Sequence, residues 1–191
     1  MTDYYNPNEK EIRERIQGLQ EFDEWNRRAL MTVWSLFGKP RTYLDIGSGS
    51  GAMVNFARDC QVDAIGVDVI AQSPDIKHDL REPLILNRNF ELVTSIETAE
   101  HVEPEYMSIF VDSIANHMDA GSILVFTAAL PGQPGHHHVN CLRPDHWREV
   151  FHNVGLNYWY EMTLKLALLW SYTTGSLMHL PGNMQVFQKG R

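Results

Sequence analysis

Apolar side chains in the first forty positions recur at steps of three and four residues. This spacing marks one face of an α-helix, and it predicts a single helix over residues 9–37. Gly38 and Pro40 follow the pattern and are typical of a helix end. We therefore predict an N-terminal helical segment, residues 1–38, ahead of the rest of the chain. The apolar positions are Ile12, Ile16, Leu19, Phe22, Trp25, Ala29, Val33 and Leu36.

After residue 40 the pattern changes to short apolar runs that alternate with amphipathic segments. The short runs indicate strands and the amphipathic segments indicate helices. Such an alternation predicts an α/β fold, in which a mostly parallel sheet carries helices on both faces. We find no linker, so residues 41–191 and the N-terminal segment are expected to form one domain, 1–191. The predicted strands are 41–46, 62–69, 75–80, 90–96, 122–130, 156–162 and 184–190, and the predicted helices are 52–60, 107–118 and 144–155, the last capped by Asp145.

The composition narrows the range of partners. The formal charge of −8 disfavours broad binding to nucleic acid, because phosphates are met by basic surface. Cys60 and Cys141 provide neither a disulfide framework nor the spacing of a metal site. The N-terminus lacks an apolar run, and polar residues interrupt the apolar stretch 164–180. We therefore expect no signal peptide, no membrane span and a cytoplasmic location, for a monomer or a homodimer.

The stretch "YLDIGSGSGAM" lies between a predicted strand and a predicted helix. Its glycines follow the C-terminal end of the first strand, where open α/β sheets bind ligands. Glycine lets the backbone turn tightly and lets a ligand approach without a Cβ clash. The pattern predicts a cofactor site that includes Gly47, Ser48, Gly49 and Gly51.

Three acidic residues decide which cofactor this turn favours. With Ala52 the turn also fits the looser dinucleotide pattern G-x-G-x-x-A, so a nicotinamide cofactor is an alternative. Asp45 argues against it, because a carboxylate there would face a pyrophosphate with like charge. It suits a ligand with an ammonium group, such as S-adenosylmethionine (SAM). Asp68 is placed to accept hydrogen bonds from ribose hydroxyls, and Asp79 to meet an adenine amino group.

With these acids and the glycine turn in order, the chain resembles the class I SAM-dependent methyltransferases. "LDIGSGSG" resembles the first motif of that family, "GVDV" the second and "FELVTSIETAEHV" the fourth. The resemblance implies a Rossmann-like three-layer α/β/α sandwich, whose seven-stranded, mostly parallel sheet has an antiparallel last strand. It also implies SAM as the methyl donor. The expected cofactor residues are Asp45, Gly47, Ser48, Gly49, Gly51, Asp68, Val69, Asp79, Leu80, Ser95 and Ile96.

A polar cluster, Glu97, Glu100 and His101, follows the fourth predicted strand. If residues 97–101 form a helical turn, spacings of three and four place these side chains on one face. In the resembled fold this position lies beside the transferred methyl group, so the cluster would face the methyl acceptor. Two interpretations stay open. The cluster binds a divalent cation, or His101 is a general base whose tautomer a glutamate fixes.

The Glu-x-x-Glu-His motif is similar to one in ubiquinone-pathway O-methyltransferases and small-RNA 2′-O-methyltransferases. There it holds Mg²⁺ or a similar ion, and in the RNA enzymes a later histidine completes the site. By this resemblance His138 is the expected further ligand and His136 the second choice, both on the long loop 131–143. A mixed set of oxygen and nitrogen ligands suits Mg²⁺ or Mn²⁺, with Zn²⁺ or Fe²⁺ as alternatives. A solvated histidine loop that binds no metal is the competing interpretation.

We predict that the protein transfers the methyl group of SAM to an oxygen of a small hydroxylated molecule, and in the metal interpretation a divalent cation assists the transfer. One alternative is a metal-dependent RNA 2′-O-methyltransferase, which the acidic composition disfavours. Another is a non-catalytic SAM-binding module, which has no need of an acid–base cluster.

Aromatic residues outside these motifs are expected to serve the core. The N-terminal helix can close the cleft as a lid, while Tyr4 and Tyr5 are expected to fray. The segment 172–183 can shape the acceptor site. Four aromatic residues near the C-terminus are predicted to be buried rather than to line a pocket: Trp159, Tyr160, Trp170 and Tyr172.

Overall fold

The computed structural model describes residues 4–72, 75–173 and 179–190. Its strands are β1 Thr42–Ile46, β2 Asp63–Asp68, β3 Ile76–Lys77, β4 Phe90–Ile96, β5 Met118–Thr127, β6 Leu156–Tyr158 and β7 Gln185–Lys189. Its helices are α1 Glu9–Gln20, α2 Asp23–Phe37, α3 Ala52–Asp59, α4 Met107–Ala115, α5 Pro144–Asn153, α6 Tyr160–Thr173 and α7 His179–Asn183. Two short 3₁₀ turns, Ala99–His101 and Pro104–Tyr106, connect β4 to α4.

The seven strands form one sheet in the order β3-β2-β1-β4-β5-β7-β6. The pairings from β3 to β5 are parallel, and β7 pairs antiparallel with both β5 and β6. Six strands therefore point one way and the last runs against them, which confirms the predicted topology. The chain runs outward from β1 to β3, then returns to place β4 on the other side of β1. This reversal makes the C-terminal ends of β1 and β4 the switch point of the sheet.

Alternate residues of the central strands point to opposite faces of the sheet, as the two-residue period of a strand requires. Leu44 and Val93 pack in one apolar layer together with α4 and α5. Tyr43 and Leu92 pack in the other layer, against α2, α3 and α6. The molecule is therefore the predicted three-layer α/β/α sandwich.

The N-terminal helical segment is two helices rather than the one predicted. The side chain of Asn8 accepts hydrogen bonds from the first turn of α1, and the Glu11 carboxylate accepts one from the Asn8 backbone N–H, so α1 begins with a capping box. A turn in which the Phe22 N–H bonds to the Leu19 carbonyl separates α1 from α2. The apolar period continues across this turn, which is why the sequence pattern did not reveal the break.

The largest departure from the predicted elements begins at residue 159. The strand expected over 156–162 ends at Tyr158, and α6 follows it. Leu166 and Trp170 are fully buried, and the Trp170 indole N–H donates to the Thr32 hydroxyl of α2 at 2.8 Å. Packing against α2 thus gives helix where aromatic residues suggested strand. The segment 172–183, expected to shape the acceptor site, lies partly outside the described residues.

The prediction that Asp145 caps α5 is wrong. Arg143 occupies the cap position, Pro144 is the first helical residue, and no side-chain cap bond forms. Asp145 instead accepts a hydrogen bond from the Arg143 guanidinium at 3.0 Å. A proline at the first helical position needs no partner for its nitrogen, so the helix starts without that cap.

None of the helices in the described parts of the chain is both long and apolar enough to span a membrane.

Candidate active site

A cavity of about 1020 Å³ lies at the C-terminal ends of β1, β2 and β4, at the switch point of the sheet. The glycine turn and the acidic strand ends form its floor. Arg15, Leu19 and Phe22, at α1 and the turn to α2, form part of its opposite wall. The predicted N-terminal lid therefore faces the predicted cofactor site.

The glycine turn holds its shape through the neighbouring strand. The N–H groups of Gly47 and Ser48 both donate to the Val67 carbonyl, at 2.8 and 3.1 Å. Gly47 has a φ of +81°, and a Cβ at this position would lie 2.0 Å from the Thr98 hydroxyl oxygen. Only glycine allows this backbone to pass so close to Thr98.

Asp45 and Asp68 are the two strand-end acids that line the cavity. Asp45 is 4% exposed and accepts a hydrogen bond of 2.5 Å from the Thr94 hydroxyl. Asp68 accepts the N–H groups of Gly49 and Ile70, at 2.9 and 3.0 Å. These bonds fix the orientation of the two carboxylates.

The expected cofactor residues divide into two groups. Eight of them line the cavity: Asp45, Gly47, Ser48, Gly49, Asp68, Val69, Leu80 and Ile96. Gly51, Asp79 and Ser95 are not among the residues that line it. Gly51 begins α3 with a left-handed conformation, Ser95 is fully buried, and the Asp79 carboxylate pairs with Arg81 at 2.7 Å.

At the other end of the cavity the structure brings together Glu100, His101 and His138. One potential ligand atom from each lies within 4.8 Å of the others, and we call these three residues the Glu-His-His cluster. Glu100 is fully buried, and the backbone N–H groups of Val139 and Asn140 donate to its carbonyl. These two hydrogen bonds hold the loop 131–143 against the 3₁₀ turn that carries Glu100 and His101.

Each histidine of the Glu-His-His cluster has Nδ1 beside a backbone carbonyl. His101 Nδ1 lies 3.2 Å from the His137 oxygen, and His138 Nδ1 lies 3.1 Å from the Gln133 oxygen. With a carbonyl as partner, Nδ1 must carry the proton, so Nε2 of each neutral ring has a free lone pair. His138 Nε2 lies 4.0 Å from a Glu100 carboxylate oxygen. Metal-binding histidines are oriented by this kind of contact.

Glu97 and His136 line the cavity beside the Glu-His-His cluster but are not part of it. Glu97 has a φ of +49°, so residues 97–101 do not form the continuous helical turn assumed from the sequence. Its carboxylate accepts amide hydrogen bonds from Gln133 at 3.3 Å and Asn183 at 3.1 Å. His136 lies near Tyr4, with ring centroids 5.8 Å apart.

Tyr4 and Tyr5 cover the cavity at the end where the Glu-His-His cluster lies, and the expectation that they fray is wrong. The Tyr5 hydroxyl contacts the His101 carbonyl and donates to the Glu103 carboxylate at 2.6 Å. The Arg81 guanidinium lies 3.4 Å from the Tyr5 ring centroid. Tyr4 stacks on His137, with centroids 4.3 Å apart. The only indication of this contact in the sequence was that Tyr4 and Tyr5 are two adjacent aromatic residues.

A family model described as a methyltransferase domain matches residues 19–161, well over half of the chain. The chain belongs to this methyltransferase family. This match confirms the family predicted from the sequence. The protein is therefore a SAM-dependent methyltransferase. No curated protein sequence matches the chain.

Solved structures share the fold at low identity. The sugar N-methyltransferase KedS8 from Streptoalloteichus is 15% identical with a TM-score of 0.64, over 88% of this chain and 87% of that one. A Burkholderia thailandensis 1,6-didemethyltoxoflavin-N1-methyltransferase is 12% identical with a TM-score of 0.65, over 92% and 82%. Streptomyces venezuelae DesVI is 13% identical with a TM-score of 0.64, over 97% and 99%. Identities this low show the fold alone.

The residues that line the cavity fit SAM, the cofactor of this family. Burial raises the pKa of Asp45 to about 7 and also raises that of Asp68, so both carboxylates favour a cationic ligand beside them. The buried Ser48 hydroxyl has no hydrogen-bond partner among the described residues and can donate to a ligand. The buried Asp45 and the half-buried Asp68 line the same cavity and oppose the pyrophosphate of a nicotinamide cofactor.

The Glu-His-His cluster has the electrostatics of a site that attracts a cation. Burial and the nearby Glu97 carboxyl raise the pKa of Glu100 to about 8. Burial lowers the pKa of His101 to about 4, which keeps its imidazole neutral near pH 7 and makes it a weak base. The buried Glu100 oxygens form no hydrogen bond of normal geometry among the described residues, although the backbone N–H groups of Glu100 and Ala129 lie near them and Glu97 can share a proton with Glu100.

Replacing Gly47 by alanine is expected to destabilise the protein more than the same change at Gly132. Gly132 has a similar φ of +84°, but a Cβ there meets nothing within 4 Å. The control should therefore lose only the cost of a left-handed backbone, about 1–2 kcal/mol. Gly47→Ala should lose about 1–3 kcal/mol more, because Thr98 must move. Urea unfolding of both variants measures this, and equal losses would contradict the close approach.

Proposed function

We propose that the protein transfers the methyl group of SAM to an oxygen atom of a small hydroxylated acceptor, aided by a divalent cation at the Glu-His-His cluster. The observation that carries this proposal is the convergence of Glu100, His101 and His138 at one end of a cavity whose other end holds Asp45 and Asp68. SAM supplies an electrophilic methyl group on a sulfonium. The chain must hold that donor, orient the acceptor oxygen and lower the pKa of its hydroxyl.

The donor end of the cavity supports the first of these tasks. Asp45 and Asp68 present carboxylates that hydrogen bonds from Thr94, Gly49 and Ile70 hold in place. We assign the cationic part of the donor to Asp45 and the ribose hydroxyls to Asp68, which follows β2. Because Asp45 is buried and Asp68 is half-buried, their interactions with a ligand are less screened by water and salt than those of surface acids.

The acceptor end supports the other two tasks. Glu100, His101 and His138 would hold the cation, which lowers the pKa of a hydroxyl bound to it and fixes its position. Two imidazoles and one carboxylate favour Mn²⁺, Fe²⁺ or Zn²⁺, whereas Mg²⁺ prefers oxygen ligands. Glu97 is already held by two amides, so we assign it a supporting role beside Glu100. With a pKa of about 4, His101 suits a neutral ligand better than a general base.

A small acceptor agrees with the size and lining of the cavity. Tyr4, Tyr5 and α1 line one side of it and leave space for a compact molecule beside the donor. The net charge of −8 argues against an RNA acceptor, whose phosphates need basic surface. We therefore propose a phenol or a sugar as the acceptor class.

The test is transfer of a labelled methyl group from SAM to a panel of phenols, sugars and a short RNA. We expect label in a small hydroxylated acceptor, in an ether that resists mild alkali. Transfer should stop after exhaustive chelation and return with Mn²⁺. Label on nitrogen or on RNA would overturn the acceptor class, and full activity in the chelated protein would overturn the role of the cation.

A further inference from the structure

The outer face of α6 carries a stripe of exposed apolar side chains. Tyr160, Leu164, Leu168 and Tyr172 are 61%, 51%, 59% and 82% exposed, respectively, so the prediction that Tyr160 and Tyr172 are buried is wrong. They follow one another at four-residue steps, so they lie along one ridge of the helix. The inner face of the same helix, with Thr163, Leu166 and Trp170, is buried against the rest of the molecule. We call the four exposed residues the α6 stripe.

The two faces of α6 differ from those of a solvent-exposed helix. A helix that covers a core normally carries charged residues on its outer side. Here Glu161 and Lys165 are the charged residues of α6, and the ridge between them and the buried face is apolar. Contiguous apolar surface of this kind marks an interaction site. The apolar ridge on the outer side of α6 is therefore suited to contact with a partner.

We propose that the α6 stripe is the interface of a homodimer in which two copies of α6 cross in antiparallel orientation. The order Tyr-Leu-Leu-Tyr at equal spacing reads the same in both directions. A two-fold axis on the outer face, level with position 166 along the helix, therefore places Leu164 of one copy against Leu168 of the other, and Tyr160 against Tyr172. A surface that meets its own copy in this way forms a closed, isologous pair. Ridges at four-residue spacing also interdigitate in the most common mode of helix packing.

The area and charge of the stripe agree with a second copy as the partner. Two tyrosines and two leucines can bury on the order of 500 Å² per copy, or about 1,000 Å² in the pair, the lower limit for a specific interface. This predicts a dimer that dissociates in the micromolar range rather than an obligate one. A membrane surface is disfavoured, because helices that bind membranes carry several basic residues beside the apolar face, whereas α6 has one lysine and one glutamate.

Sedimentation velocity across about 1 to 100 µM protein tests the proposal. We expect the mass to rise from one chain to two as the concentration increases. Leu164→Glu and Leu168→Glu should each leave a monomer, because they place a carboxylate against an apolar partner. Ile85→Glu is the matched control, since Ile85 is 72% exposed but lies on another surface, and it should still dimerise. Melting temperatures equal to that of the native protein at about 1 µM, where the native protein is also a monomer, would show that the variants fold.

A double cysteine variant, Leu164→Cys/Leu168→Cys, tests the orientation independently of any folding defect. Oxidation should link residue 164 of one copy to residue 168 of the other. A monomer at every concentration, a dimer that both glutamate variants retain, or links between identical positions would each overturn the proposal. Monomers that bind anionic lipid vesicles through the stripe would do the same. None of these results depends on the methyl acceptor.

Discussion

Asp45→Asn is expected to weaken binding of S-adenosylhomocysteine by about 10- to 100-fold, the loss typical of a hydrogen bond to a charged partner. Asparagine has the same shape and can still accept the Thr94 hydroxyl, but it carries no negative charge for the ammonium group of the ligand. Titration calorimetry measures the change. An affinity equal to that of the native protein would contradict the assignment of Asp45 to the cationic part of the donor.

A truncated ligand provides the matched control for this variant. 5′-Methylthioadenosine keeps the adenosine part of the donor but lacks its ammonium group. Asp45→Asn should therefore bind it as well as the native protein does. Asp68→Asn should weaken both ligands, because Asp68 is assigned to the ribose that they share. Equal losses for both ligands at Asp45 would indicate a general distortion of the glycine turn.

The raised pKa of Asp45 makes the same variant informative about stability. Burial raises the pKa from 3.8 to about 7 in the folded protein, so folding favours the protonated form. The ionised group then destabilises the ligand-free fold progressively as pH rises from about 4 to 7. At pH 8 the Asn variant should be more stable than the native protein, by at most about 4 kcal/mol.

The affinity for S-adenosylhomocysteine should also increase between about pH 6 and 8, and it should do so in the native protein only.

The parts of the site that the sequence predicted are those set by local order along the chain. A strand end, a glycine turn and a second strand end follow one another within 25 residues, and Asp45, Gly47 and Asp68 all line the cavity. Asp79 has the right position after a strand. It does not line the cavity, and Arg81, two residues away, pairs with its carboxylate. The order of strand ends along the chain therefore located the site, but it did not predict that Arg81 would pair with Asp79.

The parts that the sequence did not predict depend on contacts between distant segments. Tyr5 reaches the His101 carbonyl across 96 positions, and the pattern around Tyr5 contains nothing about that partner. The positive φ of Glu97 separates it from the Glu-His-His cluster, although its spacing fits one helical face. The α6 helix forms where aromatic residues suggested a strand, because Leu166 and Trp170 are buried on that helical face. In each case tertiary contacts override a local preference.

Glu100→Gln and His138→Asn are each expected to weaken Mn²⁺ binding strongly. The loss of a residue that only orients a metal ligand costs about 10- to 100-fold in affinity, and these two changes should cost more. Each change removes one of three potential ligands, and His101 with one remaining residue cannot hold the ion in place. Methyl transfer should fall in parallel, since the proposed function assigns the acceptor hydroxyl to this ion. His136→Asn is the matched control, because His136 lines the cavity but lies outside the Glu-His-His cluster.

Stability provides a readout of this site that does not need the acceptor. A ligand that binds only the folded state raises the melting temperature, so Mn²⁺ should stabilise the native protein and His136→Asn but neither cluster variant. In the presence of chelator, Glu100→Gln should instead melt at a higher temperature than the native protein, because it removes a buried carboxyl whose pKa is raised to about 8. Tight Mn²⁺ binding that leaves methyl transfer insensitive to chelation would separate the ion from the reaction. Full metal binding by Glu100→Gln would instead refute the Glu-His-His cluster as its site.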